Sequence, residues 1–482
     1  MLKHFIYLLL FFSILSVIPV SATIINVPGN QPTIQAGINA ASTGDTVLVA
    51  QNTYYENINF LGKGIVVASH YILNKDVTYI TSTIINGSNP TYPDSASCVS
   101  FKSGEDSTSV LQGFTITGGT GTKWVDPNNP SYTWRGGGGV FTFMTSPVIR
   151  NNLIIYNEVT NTSGVNGAQG GGSLSYGGNP LILNNVIMMN EARYGAGIVI
   201  DYSGGIIKNN IIYKNTGGQD YGGGGFWSIG NGAHPIILEN NHIVENSVTG
   251  SGSYGGKGGA MFVWMGTVTA LNNIIWGNTQ SHGGPIAEIS GYALISYSNV
   301  EGGFTGTGNI NINPSFSDTN FYLSELSPCI DTGNPGSVYY DPEDPNNPNN
   351  ALWPSRGGLR NDMGAYGGPL RDLFPIFNPV SIKTIYTLHS TDFLLFQNYP
   401  NPFNPVTTIE YDLSKRVEVK LIIYDLLGQE VRTLVSEKQN SGRKSVVWDG
   451  KDNDWRIVSS GVYIYILKTE DNLQSKKMIF LK

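Results

Sequence analysis

Charged side chains are scarce in this sequence. Asp, Glu, Lys and Arg make up 13% of the 482 residues, about half the share of an ordinary globular chain. The shortage is uneven: residues 392–482 hold 13 Lys and Arg and 12 Asp and Glu, leaving 15 and 23 for the first 391. The long first part is net acidic and lacks the basic stripe that a phosphate backbone requires, which argues against a nucleic-acid partner. Only two cysteines occur, Cys98 and Cys329, too few for a disulfide-stapled scaffold. A single bridge between them and two buried thiols both remain open. The six histidines are dispersed, so spacing offers no His or Cys metal cluster. Beyond residue 22 no apolar run is long enough to cross a bilayer, and no transmembrane helix is expected.

The sequence is rich instead in glycine, asparagine and repetition. The first 22 residues, MLKHFIYLLLFFSILSVIPVSA, put Lys3 ahead of an apolar run from Phe5 to Val20 and end in the small-residue site Val20-Ser21-Ala22. That pattern predicts a secretory signal peptide cleaved after Ala22. Further on, one phrase returns five times as PVIRNNLIIYN, PLILNNVIMMN, GIIKNNIIYKN, PIILENNHIVEN and TVTALNNIIWGN. The pairs Asn151/Asn152, Asn184/Asn185, Asn209/Asn210, Asn240/Asn241 and Asn272/Asn273 are each followed, five residues on, by Asn157, Asn190, Asn215, Asn246 or Asn278. The intervals between phrases are 33, 25, 31 and 32 residues, while the ruler inside the phrase is constant. A fixed motif with variable spacers predicts a solenoid, and short β-branched runs make its coils of strands. The fold class is therefore all-β, a parallel β-helix. The repeated Asn positions predict side-chain ladders about 4.8 Å apart, and glycine clusters at 136, 170, 195, 222 and 255 mark tight corners.

Near the start, INVPGNQPTIQAGINAASTGDTVLVA carries a short helical pattern from Pro32 to Ala41, with Ile34 and Ile38 on one face, ahead of the strand Thr46 to Val49. It resembles the N-terminal cap of the pectin-lyase-like superfamily, which implies a right-handed β-helix with a capping helix and no particular activity. The words NPSFSD, YLSELSPCIDTGNP and NDMGAYGGP resemble the closing segment of secreted bacterial β-helix proteins of the choice-of-anchor Q group. From Phe393 to Lys482 the words NYPNPFNP, DLLGQEV, WDGKD, SGVYIY and KKMIFLK resemble the type A sorting domain of the type IX secretion system. That resemblance implies delivery by the type IX machinery to the cell surface or medium, and the alternating strands themselves predict a small β-sandwich. The expected organisation is a signal peptide at 1–22, a β-helix at 23–369, a linker at 370–392 and a sorting domain at 393–482.

The β-helix body shows no paired catalytic aspartates of the pectinesterase kind and no double-Asp pattern of the polygalacturonases. Aligning the coils brings Phe141, Leu174, Val199, Trp227 and Phe262 into one row, and Phe143, Tyr176, Asp201, Ile229 and Trp264 into a second. Between them lie Thr142, Ser175, Ile200, Ser228 and Val263, smaller as a group. If the smaller set fills the lumen, the larger set makes an outward aromatic stripe along the axis, suited to stacking on sugar rings. Phe141, Phe143, Tyr176, Trp227 and Trp264 are then the candidate ligand-binding residues, with Asp201 the candidate catalytic group. Opposite parity, or a cover from loops such as 120–135, would make them core instead. Asp341, Glu343 and Asp344 in DPEDPNNPNN offer oxygen ligands for Ca²⁺, although the prolines equally fit a rigid solvated loop; no other cofactor is indicated. The expected function is binding of an extracellular polysaccharide. Cleavage by lyase or glycoside-hydrolase chemistry is left open, and the alternative is a non-catalytic surface adhesin or structural protein.

Overall fold

The computed structural model describes residues 22–370 and 393–481, apart from 161–162, 219–220, 231–233, 251–254, 283–288, 319, 396–397, 399, 414–415, 426–427, 441 and 470–472. The expected signal peptide and linker therefore lie almost wholly outside the described residues. The chain divides into two compact units, Met1–Ile376 and Phe377–Lys482.

The first unit is a parallel β-helix. One coil runs through the strands Val140–Phe143, Val148–Arg150 and Leu153–Ile155, and each pairs in parallel with its equivalents one coil before and after. Three faces result. In the second and third, every coil contributes one inward aliphatic: Ile149, Ile182, Ile207, Leu238 and Ala270, then Ile154, Ile187, Ile212, Ile243 and Ile275, all fully buried in one continuous core. The β-branched residues fit the pleat there, and alternation sends their neighbours outward.

The asparagine ruler divides into two jobs. The second Asn of each pair forms one ladder: the Asn152 backbone N–H and side-chain amide both donate to Asn185 Oδ1, and the pattern repeats from Asn185 to Asn210, Asn241 and Asn273. Asn157, Asn190, Asn215, Asn246 and Asn278 form a second ladder in the same way. The first Asn of each pair stands outside the ladders. Asn151, Asn184, Asn209, Asn240 and Asn272 adopt left-handed backbone, with φ of 56°, 55°, 54°, 52° and 56°, a conformation Asn tolerates better than other residues with a Cβ.

The N-terminal end of the stack is covered, and a later segment lies along its side. The helix Ile34–Ala40, with Thr33 accepting from Ala36 N–H, buries Ile34 and Ile38 over the first coil. Gly37 is required there, because a Cβ would stand 2.7 Å from Val47 Cγ1. Glu56 accepts the N–H groups of Ile34 and Gln35 and neutralises the helix start. Late in the unit, residues 361–368 fold back along the Asn corner. Asn209 donates to Ala365 O and Gly367 O, and Asn240 to Asp362 O and Gly364 O. His242 is buried there against Phe316, Phe321 and Tyr366. Cys98 and Cys329 are both free and buried, and burial pushes each thiol up to about 12.

The second unit is a small β-sandwich of two antiparallel sheets. One holds Phe393–Leu395, Thr407–Leu413 and Gly442–Trp448; the other holds Glu430–Gln439, Val417–Tyr424, Gly461–Lys468 and Leu473–Phe480. Alternation along Val417–Tyr424 buries Val417, Val419, Leu421 and Ile423 against Trp448, Tyr411 and Tyr465. The NYPNPFNP word is structural: buried Asn398 donates to Thr407 Oγ1 and receives its own contact from the Tyr465 hydroxyl, which accepts the Asn398 N–H. Among the described residues no helix is long and apolar enough to cross a membrane.

Candidate functional site

The first face of the β-helix stacks Val140–Phe143, Ser173–Tyr176, Ile198–Asp201, Phe226–Ile229 and the start of Met261–Leu271 in register. Val140, Ile198, Ile200, Phe226, Met261 and Val263 belong to the lumenal core. Phe141, Leu174, Tyr176, Val199, Trp227 and Phe262 belong to a separate cluster on the other side of the sheet. The aligned row runs as Phe141, Leu174, Val199, Trp227, Phe262. The second row departs from the sequence alignment at its end: Ile229 pairs with Met265, so Trp264 sits in a bulge instead of opposite Ile229.

The outward cluster is partly roofed. Gly121–Val125 and Thr133–Gly136 form an antiparallel hairpin, and Gly167–Gln169 adds a parallel strand to it. Arg135 anchors the roof, donating to Pro93 O, Gly121 O and Asp94 Oδ1 at 2.7–2.9 Å. Trp124, opposite Trp134 in the hairpin, packs on Phe141 and Tyr176 with ring centroids 5.9 and 6.0 Å apart. Gly167 lets the roof lie close, since a Cβ there would stand 2.4 Å from the Trp134 ring and 2.5 Å from that of Tyr194. Phe141 and Tyr176 are thus buried and Phe143 half-buried. The expected open stripe is closed over its first coils, because the longer spacers fold back across it.

Where the roof ends, a pocket of about 170 Å³ remains, walled by Trp134, Tyr194, Tyr202, Tyr221, Trp227 and Trp264, with Asp126, Gln169, Asp201 and Ile229 completing it. Trp227 is 5% exposed and donates through Nε1 to Tyr221 O, while Trp264 is half-buried against Tyr221. A second pocket of about 290 Å³ adjoins it at Tyr202 and is lined by Asn128, Met144, Tyr176 and His234 among others. Tyr194, Asp201 and Tyr202, on the coil with the 25-residue interval between Asn184 and Asn209, line the first pocket and Tyr202 the second, while Asp126, Pro127 and Asn128 reach in from the roof loop.

Asp201 is 5% exposed. Burial pushes its carboxyl up to about 7, the Asp126 charge adds to the shift, and a hydrogen bond from Gln169 works against it. Asp126, half-buried on the roof, accepts the Tyr176 hydroxyl at 2.8 Å, and Asn128 donates to the same hydroxyl oxygen at 2.7 Å. Burial, followed by the bond and charge of Asp126, raises the Tyr176 phenol. Gln169 is 4% exposed, and its Oε1 has no hydrogen-bond partner. A half-exposed carboxylate and a buried, protonatable one thus share an aromatic pocket, an arrangement able to bind a polar ligand with apolar faces and to deliver a proton.

Asp126, Gln169, Trp134, Tyr194 and Tyr221 were not among the sequence candidates. They come from the spacers, which do not align; the signal was the run of aromatics in KWVDPNNPSYTW, between two otherwise regular coils. The three acidic residues offered for calcium take separate backbone partners. Asp341 accepts the N–H groups of Asp362 and Gly368, Glu343 that of Asn349, and Asp344 that of Asn346. Among the described residues no three His, Cys, Asp or Glu side chains converge on a metal position.

No curated protein matches the chain. Residues 405–472 match the FlgD Ig-like domain family. Among solved structures, the chain is similar to dimeric latent PorU from Porphyromonas gingivalis, with 20% identity over 18% of this chain and 9% of that one and a TM-score of 0.16. It is also similar to PorZ, a surface component of the type IX secretion system of the same organism, with 19% identity over 18% and 11% and a TM-score of 0.14. A pectin methylesterase in complex with a hexasaccharide aligns at 10% identity over 59% of this chain and 80% of that one, with a TM-score of 0.32. The chain thus spans about a tenth of the length of PorU and PorZ.

Proposed function

We propose that this is an exported β-helix protein that binds an extracellular polysaccharide in the trough beside Asp201, and that its C-terminal sandwich directs export by the type IX route. The observation that carries the binding reading is the pocket itself: three indoles and three phenols around buried polar groups, with Tyr202 lining a second cavity as well. Indole and phenol rings pack on the C–H faces of sugars while the polar groups take the hydroxyls. Titration of the full chain with a panel of polysaccharides tests it. Trp264→Ala and Gln169→Ala should each weaken binding at least tenfold, and unchanged affinity in both would refute it.

Cleavage is the second reading, favoured by two carboxyl groups in different surroundings within one pocket. Protonated Asp201 would give its proton to the leaving glycosidic oxygen, while Asp126 takes one from the attacking water. Asp201→Asn should then abolish release of reducing ends with binding retained; binding without product release in the native chain would leave the adhesin. The export reading rests on the ordered motifs of the tail. Removing Phe393–Lys482 should strand the protein in the periplasm, and normal surface amounts of the truncated form would overturn it.

A further inference from the structure

The charge of the trough selects among sugars. Its walls hold two carboxyl groups, Asp126 and Asp201, and among the described residues none of those lining the first pocket is Lys, Arg or His. Gln169 adds a buried acceptor, Oε1, with no partner of its own. Acceptors of this kind suit hydroxyl donors. A sugar carboxylate placed there would meet the Asp126 carboxylate in a poorly solvated site where no described lining residue is a cation to offset it, and where burial already disfavours the charged form of Asp201.

Size points the same way as charge. The pocket of about 170 Å³ and its neighbour of about 290 Å³ share Tyr202 as a lining residue, which sets places for successive sugar units of one chain side by side. Among the described residues the one basic side chain along the second cavity is His234, which stands outside the first. Every unit of a polyuronate carries a carboxylate, so such a polymer cannot spare the first pocket.

We infer that the trough takes a neutral, hydroxyl-rich glycan chain and rejects polyuronates, a specificity that rests on the polysaccharide-binding reading above. Calorimetric titration of the full chain tests it with neutral xylan, galactan and glucan against polygalacturonate and alginate, at one ionic strength. At least one neutral polymer should bind tenfold or more tightly than either polyuronate. Asp126→Asn should narrow that gap at least threefold by improving polyuronate binding, with an unchanged melting temperature as the folding control. Polyuronate binding that equals or exceeds neutral binding, and that is lost in Trp264→Ala, overturns the specificity and leaves the binding reading standing. Failure to bind any polymer, or binding indifferent to Trp264→Ala and Gln169→Ala, overturns both.

Discussion

Asn210 lies midway along the first ladder and is fully buried. Its Oδ1 accepts both the backbone N–H and the side-chain amide of Asn185, and its own amide donates to Ile182 O, Lys208 O and Asn241 Oδ1. Asn210→Leu keeps the volume and removes all five bonds. Asn185 Nδ2 retains Ile149 O, and Asn241 Oδ1 retains the backbone N–H of residue 210. The Asn185 backbone N–H loses its acceptor, and Ile182 O loses a donor. Each buried group left unsatisfied costs about 1–3 kcal/mol, so the substitution should destabilise the β-helix by roughly 2–4 kcal/mol. Asn209→Gly is the contrast. It gives up the two bonds to Ala365 and Gly367, worth about 1–3 kcal/mol together, and sets against them the relief of a left-handed backbone at φ 54° that glycine accepts freely, about 1 kcal/mol, so the net loss is at most about 2 kcal/mol. Urea unfolding of the full chain, followed by circular dichroism, measures both. An Asn210→Leu protein within about 0.5 kcal/mol of the parent, or an Asn209→Gly protein that loses as much, would refute this division of labour.

Stability should also fall as pH rises. Burial raises Asp201 to about 7 in the folded chain and lifts Asp362, which lies against buried Asp341, in the same direction, against about 3.9 for an unfolded Asp. The native state thus holds more protons between those values, so the contribution is complete below the unfolded value and is lost as pH rises through about 7. Denaturant midpoints should drop between pH 5 and pH 8, and Asp201→Asn should flatten the slope; a midpoint that rises across this window contradicts the assignment. The two tryptophans of the trough should separate on truncation. Trp227, wedged into the cluster, should lose about 3–5 kcal/mol as Ala, whereas half-buried Trp264 should lose clearly less, as thermal melting of the two variants will report.

Much of the β-helix was legible because its rules are periodic. The ruler of Asn152 and Asn157 repeats without slippage, and so do the lumenal isoleucines, so the coils could be stacked on paper. The separate role of Asn151 and its equivalents was hidden, because left-handed backbone and ladder bonding favour the same residue type. Tyr156, Met189, Lys214 and Glu245 occupy the matching corner ahead of the second ladder at φ of 54°, 53°, 49° and 51°, and nothing in their chemistry advertises it. The register of Trp264 was lost to a bulge that changes no residue type. The roof was legible only as the alternative of a cover from residues 120–135, and its contacts were not, because they are long-range: Trp124 reaches Tyr176, and Arg135 reaches Pro93 and Asp94. Pairings of that kind leave no period in a single chain.

The short spacer beneath the trough has an evolutionary consequence. The ladders fix each rung through Asn-to-Asn bonds and through amide bonds to backbone carbonyls beside them, and they span intervals of 25 and 33 residues with the same geometry. Glu191, Ala192 and Tyr194 to Gly197 pair through their backbones with neighbouring coils, so an insertion between Ala192 and Tyr194 is the kind that leaves the rungs in place. Such an insertion would fill the trough, and a deletion in a neighbouring spacer would open a new one. Loop length, separately from point substitution, is then a means by which this architecture can change what it holds.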